Sequence, residues 1–307
     1  MLSKQEGQKL IISKFGHKFS EKINADLLRY TKQWDIEIFE LVDELSVNCI
    51  FKGKSRTHGD VILKICNNPH HIYGIITETN TLIEYDRNED CQRKFCRILE
   101  YDIENAVMLL ECINPGTQLM HKPLENRLEI FISLFKGLHK MPQNPKLFPT
   151  YMQWVDNAFE NLNHIENCKD IRKHMKKARE ICMNIIAIYP QNFLLHGDLH
   201  FKNILECENG KYKMIDPKGV LGHPLFDLPR YLLNEYWLIK HPHSKLSLAQ
   251  QKEIINKIIY CFETALQIPQ DIIKQSFFIE TALANAWKAE IGKEPRIEDI
   301  YFAESML

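Results

Sequence analysis

The sequence changes its periodicity once, near residue 114, and this change limits the folds open to the chain. Between Trp34 and Glu111, short runs rich in β-branched and aromatic residues alternate with turn residues. Five such runs are "DIEIFELV", "VNCIFKG", "DVILKIC", "FCRILEYD" and "AVMLLECI". They predict a small antiparallel sheet, interrupted by one helix over about residues 72–85 and preceded by an amphipathic helix from about Gln5 to Tyr30.

After "NPG" at 114–116 the apolar residues recur at helical spacing, as in "LENRLEIFISLFKGLHKM" and "KDIRKHMKKAREICMNIIAIY". The remainder of the chain is therefore predicted to be mostly helical. A chain of 307 residues exceeds the usual size of one hydrophobic core. The fold class is α+β, and we expect two domains, residues 1–113 and 114–307, with a hinge at the Asn-Pro-Gly sequence.

Charge and composition exclude several classes of partner. Lys and Arg total 39 against 40 Asp and Glu, so no global field attracts nucleic acid or an anionic membrane. No apolar run approaches the roughly 18 residues of a membrane span, and the amino end has no secretory signal pattern. Nine cysteines without a C-x-x-C motif indicate reduced thiols. These features predict a cytoplasmic protein without nucleic-acid or membrane partners.

One polar segment, "LLHGDLHFKNIL" at 194–205, interrupts the helical half of the chain. It places Asp198 on a loop and Asn203 five residues later, and an apolar strand then ends at Asp216. Carboxylate and amide oxygens suit Mg²⁺, which binds through few protein oxygens and shares its other positions with phosphate and water. A D-x-x-x-x-N loop followed by a strand ending in Asp is typical of a phosphoryl-transfer site.

Other interpretations of the same segment are open at this stage. His196 and His200 are four residues apart, as in a zinc-binding pair, although the intervening Gly disfavours a helix. Each histidine could equally form hydrogen bonds within a packed loop. Asp198, Asn203 and Asp216 could be turn or cap residues, because Asp and Asn favour those positions.

The stretches "HGDLHFKN" and "IDPKGVLGHPLFDL" resemble the aminoglycoside phosphotransferase family, and within it the streptomycin and hydroxyurea kinase branch. The resemblance is strong over residues 192–234 and looser over 48–120. It implies a protein-kinase-like bilobal fold, with a small antiparallel sheet and one main helix in the amino lobe and a larger, mostly helical carboxyl lobe. It also implies ATP-dependent phosphorylation of a small-molecule hydroxyl, in keeping with a role in antibiotic resistance.

Carried over onto this sequence, the resemblance implies that Asp198 is the catalytic base and that Asn203 and Asp216 hold Mg²⁺. It implies that Asp227 braces the catalytic loop. Lys202 stands where the family prefers a small residue before its Asn.

The resemblance also implies a nucleotide site upstream, for ATP or GTP. Lys64 in "DVILKIC" would bind the phosphates, with Glu78 a better-placed partner on the next helix than Glu84. The alternative is a strand lysine on the solvent face, which the apolar neighbours disfavour. Two further sets of backbone groups complete the predicted cofactor site: Leu110 C=O and Cys112 N–H facing the base, and Ser46 with nearby N–H groups touching phosphate.

The acceptor is predicted less directly. A polycationic aminoglycoside needs a local cluster of acidic groups, and the last hundred residues offer Glu235, Glu280, Glu290 and Asp299, with Trp287 as a stacking surface. Of these we take Glu290 and Trp287 as the candidate substrate contacts. The alternatives are another small alcohol (a sugar, choline, an amino alcohol or a hydroxyurea-like compound), a nucleotide-binding pseudokinase, and a metal hydrolase built on the two histidines.

Overall fold

The computed structural model describes residues 4–42, 48–66, 74–241 and 244–307. The chain divides into two compact units: Met1–Thr117 with Leu205–Lys218, and Gln118–Ile204 with Gly219–Leu307. The predicted boundary at 113/114 placed the segment 205–218 in the carboxyl-terminal domain. The structure instead assigns this segment to the first unit, because its last strand forms backbone hydrogen bonds with residues of that unit.

The first unit contains a five-stranded antiparallel sheet in the order β1-β2-β3-β5-β4. Its strands coincide with the five predicted runs: β1 Ile36–Leu41, β2 Asn48–Ser55, β3 Gly59–Cys66, β4 Ile98–Asp102 and β5 Val107–Glu111. In the central strand, Val61, Leu63 and Ile65 are fully buried and point to one face. Lys64 therefore points to the opposite face of the sheet.

In the described part of the first unit, the sheet is accompanied by the helices α1 Lys4–Phe15, α2 His17–Gln33, α3 Ile75–Asp86 and the short α4 Glu89–Gln92. The prediction of one continuous helix from Gln5 to Tyr30 was wrong. Gly16 has φ +86°, outside the helical region, and it separates α1 from α2. Side chains of both helices, including Ile11, Phe19 and Ile23, share one buried core with the sheet residues Val61 and Leu63.

The segment 205–218 joins the first unit through backbone pairing. Strand β6 Pro115–Gln118 forms a small sheet with β8 Ile204–Cys207 and β9 Tyr212–Met214, in the order β6-β8-β9. Met214 at the end of β9 also exchanges backbone hydrogen bonds with the chain before β4: Cys96 N–H donates to Met214 C=O at 2.9 Å, and Met214 N–H donates to Lys94 C=O at 2.7 Å. These contacts join residues more than a hundred positions apart, so sequence periodicity could not reveal them.

The second unit is mostly helical, as predicted. Its helices are α5 Leu124–Phe135, α6 Tyr151–Asn161, α7 Lys169–Ile188, α8 Leu228–Ile239, α9 Leu248–Leu266, α10 Gln270–Glu290 and α11 Ile297–Glu304. Two short strands, β7 Phe193–Leu195 and β10 Val220–Gly222, pair antiparallel. Among the described residues, no helix has the length and apolar character needed to cross a membrane.

A buried ion pair links α5 and α8 inside the second unit. Arg127 donates from Nε to Glu235 Oε1 at 2.8 Å and from Nη2 to Glu235 Oε2 at 2.6 Å. Glu235 is completely buried. Such a pair contributes little compared with an apolar replacement, but the loss of one partner leaves an uncompensated buried charge.

We therefore expect Arg127→Met to lower the free energy of unfolding by about 3 kcal/mol, because the buried Glu235 would lose the guanidinium that balances its charge. Urea denaturation followed by circular dichroism measures the change. The exposed pair of Lys257 and Glu253 on α9 supplies the control, and Lys257→Met should leave the unfolding midpoint in place. Equal midpoints for Arg127→Met and the wild type would contradict the assigned burial of this pair.

Candidate active site

Lys64 occupies a buried position between two carboxylates of the first unit. Its ammonium lies 2.8 Å and 2.6 Å from the two oxygens of Glu78 on α3 and 2.7 Å from Asp216 Oδ1. Only 4% of Lys64 and 2% of Glu78 is exposed. Burial by itself would lower the pKa of Lys64, but Asp216 and Glu78 outweigh it and raise the pKa. The ion pair predicted from the sequence is present, and the solvent-facing alternative for Lys64 is wrong.

Asp216 follows β9 and has φ +59°, a left-handed conformation that few non-glycine residues adopt. Its Oδ2 accepts a hydrogen bond from Lys218 at 2.7 Å, while its Oδ1 accepts from Lys64. Burial favours the protonated acid, but the ammonium groups of Lys218 and Lys64 hold the pKa of Asp216 well below its usual range. The carboxylate of Asp216 is thus held in place by two lysines, whose charges favour its ionised form.

In the second unit, the loop after β7 is held by Asp227. The buried carboxylate of Asp227 accepts hydrogen bonds from His196 N–H at 2.9 Å and Gly197 N–H at 2.7 Å, and contacts His139 Nε2 at 2.8 Å. Gly197 has φ +76°, which lets the backbone turn so that both N–H groups point to one carboxylate. Burial by itself would raise the pKa of Asp227, but the contact with His139 outweighs it and holds the pKa below its usual range. The predicted bracing of the loop by Asp227 has a direct structural basis.

Asp198 and Asn203 lie together on this loop. Asn203 Nδ2 donates to the backbone C=O of Asp198 at 3.0 Å and to its carboxylate Oδ2 at 3.4 Å. The other carboxylate oxygen, Oδ1, lies 3.3 Å from Nε of Arg230 on α8. Asp198 is thus oriented by groups on both sides of its carboxylate.

The two histidines of the motif act within the loop. His196 Nδ1 accepts the N–H of Asp198 at 3.2 Å, and His200 Nδ1 accepts the N–H of Lys202 at 3.2 Å. Burial lowers the pKa of His200 to about 4, so its ring is neutral near pH 7. This arrangement gives both rings a bracing role. In the part of the chain that the structure describes, no three His, Cys, Asp or Glu side chains gather as a metal cluster would require.

Asn203 and Asp216 have the chemistry that Mg²⁺ needs, each within its own unit. The amide NH₂ of Asn203 is directed at Asp198, so the amide oxygen is the atom that can face a cation. Asp216 supplies a carboxylate of the hard-oxygen type that Mg²⁺ prefers. A metal-binding role stays a prediction for both residues.

The remaining predicted nucleotide contacts have mixed outcomes. Leu110 lies on β5, opposite Ile62 of β3 and Ile98 of β4, and its role stays a prediction. Cys112 N–H donates to Asp60 C=O at 3.1 Å, so the expectation that it faces a nucleotide base needs correction: the sheet already uses this group. Ser46 lies outside the described residues.

Three of the four acidic candidates for the acceptor site belong to internal ion pairs. Glu235 pairs with Arg127, Asp299 accepts from Lys240 at 2.6 Å, and Glu280 lies 2.6 Å from Arg230 Nη2. Because each of these carboxylates is nearly or fully buried, none offers an exposed charge to a ligand. The sequence shows that these carboxylates lie in the helical half of the chain, but it does not show which of them face inward.

Glu290 and Trp287, the favoured substrate candidates, lie on the last turns of α10. Burial raises the pKa of the half-buried Glu290. Trp287 packs edge-to-face against Trp154 at 5.6 Å, and the guanidinium of Arg230 lies 5.6 Å from its ring centroid. One side of the proposed stacking surface is thus already used by Arg230, and contact with an acceptor stays a prediction for both residues.

Sequence reasoning missed three residues that the structure places around the candidate groups. Lys218 holds Asp216, His139 contacts Asp227, and Arg230 contacts Asp198. Arg230 had a usable signal, since it lies in the first turn of the helix that follows Asp227. His139 had none, because it lies 88 residues before its partner.

Solved structures with a similar fold are small-molecule kinases. A choline kinase from Streptococcus pneumoniae superposes with a TM-score of 0.65 at 11% identity, covering 93% of this chain and 98% of that one. A Plasmodium vivax ethanolamine kinase gives a TM-score of 0.61 at 13% identity, covering 100% of this chain and 94% of that one. At these identities the likeness concerns the fold alone, and it confirms the predicted protein-kinase-like fold.

Two curated relatives match by sequence over shorter stretches. Streptomycin 6-kinase of Streptomyces griseus is 27% identical over 139 residues, which are 43% of this chain and 44% of that protein. Hydroxyurea phosphotransferase of Kitasatospora aureofaciens is 43% identical over 51 residues, 17% of this chain and 15% of that protein. The matched stretches thus span less than half the length of either relative.

The sequence profile of one family matches residues 93–292, well over half of the 307-residue chain. The matched range includes the loop with Asp198 and Asn203, the segment with Asp216, and Asp227. On this match, together with the kinase fold, the chain belongs to the aminoglycoside/hydroxyurea antibiotic resistance kinase family.

Proposed function

We propose that the chain is an ATP-dependent O-phosphotransferase that phosphorylates a hydroxyl of a small molecule. The observation that carries the proposal is the buried Lys64 between Glu78 and Asp216. Desolvating Lys64 and the carboxylate of Glu78 is costly, and an apolar cluster of similar volume is often at least as stable. The charges are therefore better explained by a ligand that requires a fixed cation, such as the phosphates of a nucleotide.

The residues of the chain suit the steps of phosphoryl transfer. The ammonium of Lys64 would orient the phosphates and stabilise the charge that develops on the transferring group. Asp198 would accept a hydrogen bond from the acceptor hydroxyl and direct its oxygen towards phosphorus. A loose transition state needs such positioning more than a strong base. Asn203 and Asp216 would hold magnesium, which neutralises phosphate charge when bound.

A nucleotide-binding pseudokinase is a weaker alternative. A regulatory module needs neither a base nor a metal pair, yet this chain carries Lys64, Asp198, Asn203 and Asp216 together. The carboxylate of Asp227 and the N–H groups of His196 and Gly197 also fix the shape of the Asp198 loop. That degree of positioning supports a catalytic loop.

Two acceptor classes follow for this chain. The first is a streptomycin-like aminoglycoside, which the sequence resemblance favours. The second is a small acceptor of low charge, such as hydroxyurea. The internal pairing of Glu235, Glu280 and Asp299 favours this second class, because these carboxylates do not form an exposed acidic cluster for a polycation.

The test is phosphate transfer from radiolabelled ATP to streptomycin, spectinomycin, hydroxyurea, choline and ethanolamine, each assayed with Mg²⁺ and with excess EDTA. We expect Mg²⁺-dependent transfer to streptomycin or hydroxyurea and none with EDTA, since the proposed site requires the metal for charge balance. Product identity by mass spectrometry separates transfer from hydrolysis. Transfer to none of the five, with nucleotide binding retained, would favour the pseudokinase.

Asp198→Asn should lower kcat by about two to four orders of magnitude, the usual contribution of a positioned acid–base group. The nucleotide dissociation constant should change little, because the role of Asp198 concerns the acceptor hydroxyl. Single-turnover transfer and a nucleotide titration measure the two quantities separately. A near-normal transfer rate would make Asp198 a turn residue, and a collapse of nucleotide binding would place it in the metal site.

Lys64→Ala should lower kcat by about 10²-fold, with a rise in the nucleotide KM, because one fixed cation at the phosphates is lost. Lys54, an exposed lysine on β2 of the same sheet, provides the control, and Lys54→Ala should have normal kinetics. Lys64→Arg keeps the positive charge that Glu78 and Asp216 require, so this variant should fold. A loss of activity in it therefore cannot be attributed to unfolding. Unchanged kinetics in both Lys64 variants would remove the nucleotide role from this site.

A further inference from the structure

The start of α8 reaches the Asp198 loop with two side chains. Asp227, the residue before the helix, accepts the backbone N–H groups of His196 and Gly197. Arg230, three residues later in the first turn of α8, places Nε 3.3 Å from Asp198 Oδ1. One side chain thus fixes the backbone of the loop, and the other contacts the carboxylate of its candidate catalytic residue.

Arg230 is itself held from two other helices. Its Nη2 lies 2.6 Å from Oε1 of Glu280 on α10, and the hydroxyl of Tyr151 on α6 donates to Glu280 Oε2 at 2.8 Å. The guanidinium also lies near the ring of Trp287. Glu280 is 2% exposed, and the side chain of Arg230 is 13% exposed. The guanidinium therefore has little freedom to move away from Asp198.

The arrangement uses the geometry of arginine as well as its charge. A guanidinium spreads its charge over three nitrogens, so Nη2 can lie 2.6 Å from Glu280 Oε1 while Nε lies 3.3 Å from Asp198 Oδ1, each as an ion pair. A lysine ammonium is a point charge on a flexible stem and would settle against Glu280, which the structure places closer. Without the guanidinium, two carboxylates of the same sign would share this part of the second unit.

We propose that Arg230 is a positioning residue for Asp198: anchored by Glu280 and Tyr151, it fixes the orientation of the carboxylate that directs the acceptor hydroxyl. This inference rests on the proposed phosphotransferase function. It assigns Arg230 no contact with the nucleotide. Its effect on the reaction passes through Asp198 alone.

The second unit contains a matched pair for comparison. Lys240, at the end of α8, pairs with the buried Asp299 at 2.6 Å, and Trp237 Nε1 donates to the other oxygen of Asp299 at 2.9 Å. This set repeats the composition of the Arg230 set: a cation, a buried carboxylate and an aromatic donor. Because this set does not contact Asp198, a change in it should affect the stability of the second unit without affecting the orientation of Asp198.

The experiment compares Arg230→Lys with Lys240→Gln in single-turnover transfer from MgATP to streptomycin, to hydroxyurea and, without an acceptor, to water. We expect Arg230→Lys to slow transfer by about 10- to 100-fold, the scale of a misplaced catalytic group. The MgATP dissociation constant should change by less than about twofold, since the altered group acts on the acceptor side. Lys240→Gln should lower thermal stability and leave the transfer rate unchanged.

A double variant decides whether Arg230 acts through Asp198. If it does, Arg230→Lys on an Asp198→Asn background should slow transfer no further, because the group being positioned is already gone. Glu280→Gln provides a second route to the same effect and should slow transfer in the wild-type background but not in the Asp198→Asn background. Partial recovery of Arg230→Ala by added methylguanidinium would support the same role.

Several outcomes would overturn the proposal. An unchanged transfer rate in folded Arg230→Lys removes the positioning role, and so does a loss that adds fully to that of Asp198→Asn. A weakened MgATP affinity would move Arg230 to the nucleotide side. If the wild type transfers phosphate to none of the five acceptors and not to water, the proposed function fails and this inference falls with it, which distinguishes the two failures.

Discussion

The burial of charge at Lys64 is the constraint on which the first unit depends. A buried ammonium requires counter-charges, and Glu78 on α3 and Asp216 after β9 supply them. The requirement ties the central strand, the main helix and a segment 152 residues further along the chain to a single point. The left-handed backbone of Asp216 is tolerated because Lys64 and Lys218 hold its carboxylate from both sides.

The second unit applies the same constraint to its loop. Asp227 is buried, and its charge is met by two backbone N–H groups and the ring of His139 rather than by a lysine or arginine. Because the two N–H groups belong to the loop backbone, their hydrogen bonds to this charge also set the shape of the loop. Gly197 makes this possible, since a side chain would disfavour its φ of +76°. The local geometry of Asp198 is a consequence of how a neighbouring charge is satisfied.

Acidic residues that look alike in the sequence have different roles in the structure. Glu235, Glu280 and Asp299 are all candidates for binding a cation by composition, but each is buried against a basic residue of the same unit. Glu280 connects to the carboxylate of Asp198 itself, through Arg230. The acceptor class therefore depends less on how many carboxylates the carboxyl-terminal half contains than on which of them are already paired.

The sequence by itself determined the elements and the order of the chemical groups. Alternation of apolar residues predicted the five strands, helical spacing predicted the second unit, and motif spacing selected Asp198, Asn203 and Asp216. The resemblance to the kinase family also implied Glu78, on the next helix, as the partner of Lys64. Local periodicity and spacing carry this information, since they reflect which faces of helices and strands are buried.

Only the tertiary structure decided the pairings between distant segments. It broke the first helix at Gly16, placed residues 205–218 in the first unit, used Cys112 N–H within the sheet and brought Arg230 to Asp198. The physical reason is common to the long-range cases. A periodic pattern shows that a side chain faces inward, but its partner is set by packing and by the need to satisfy buried polar groups, and those partners lie tens to hundreds of residues away.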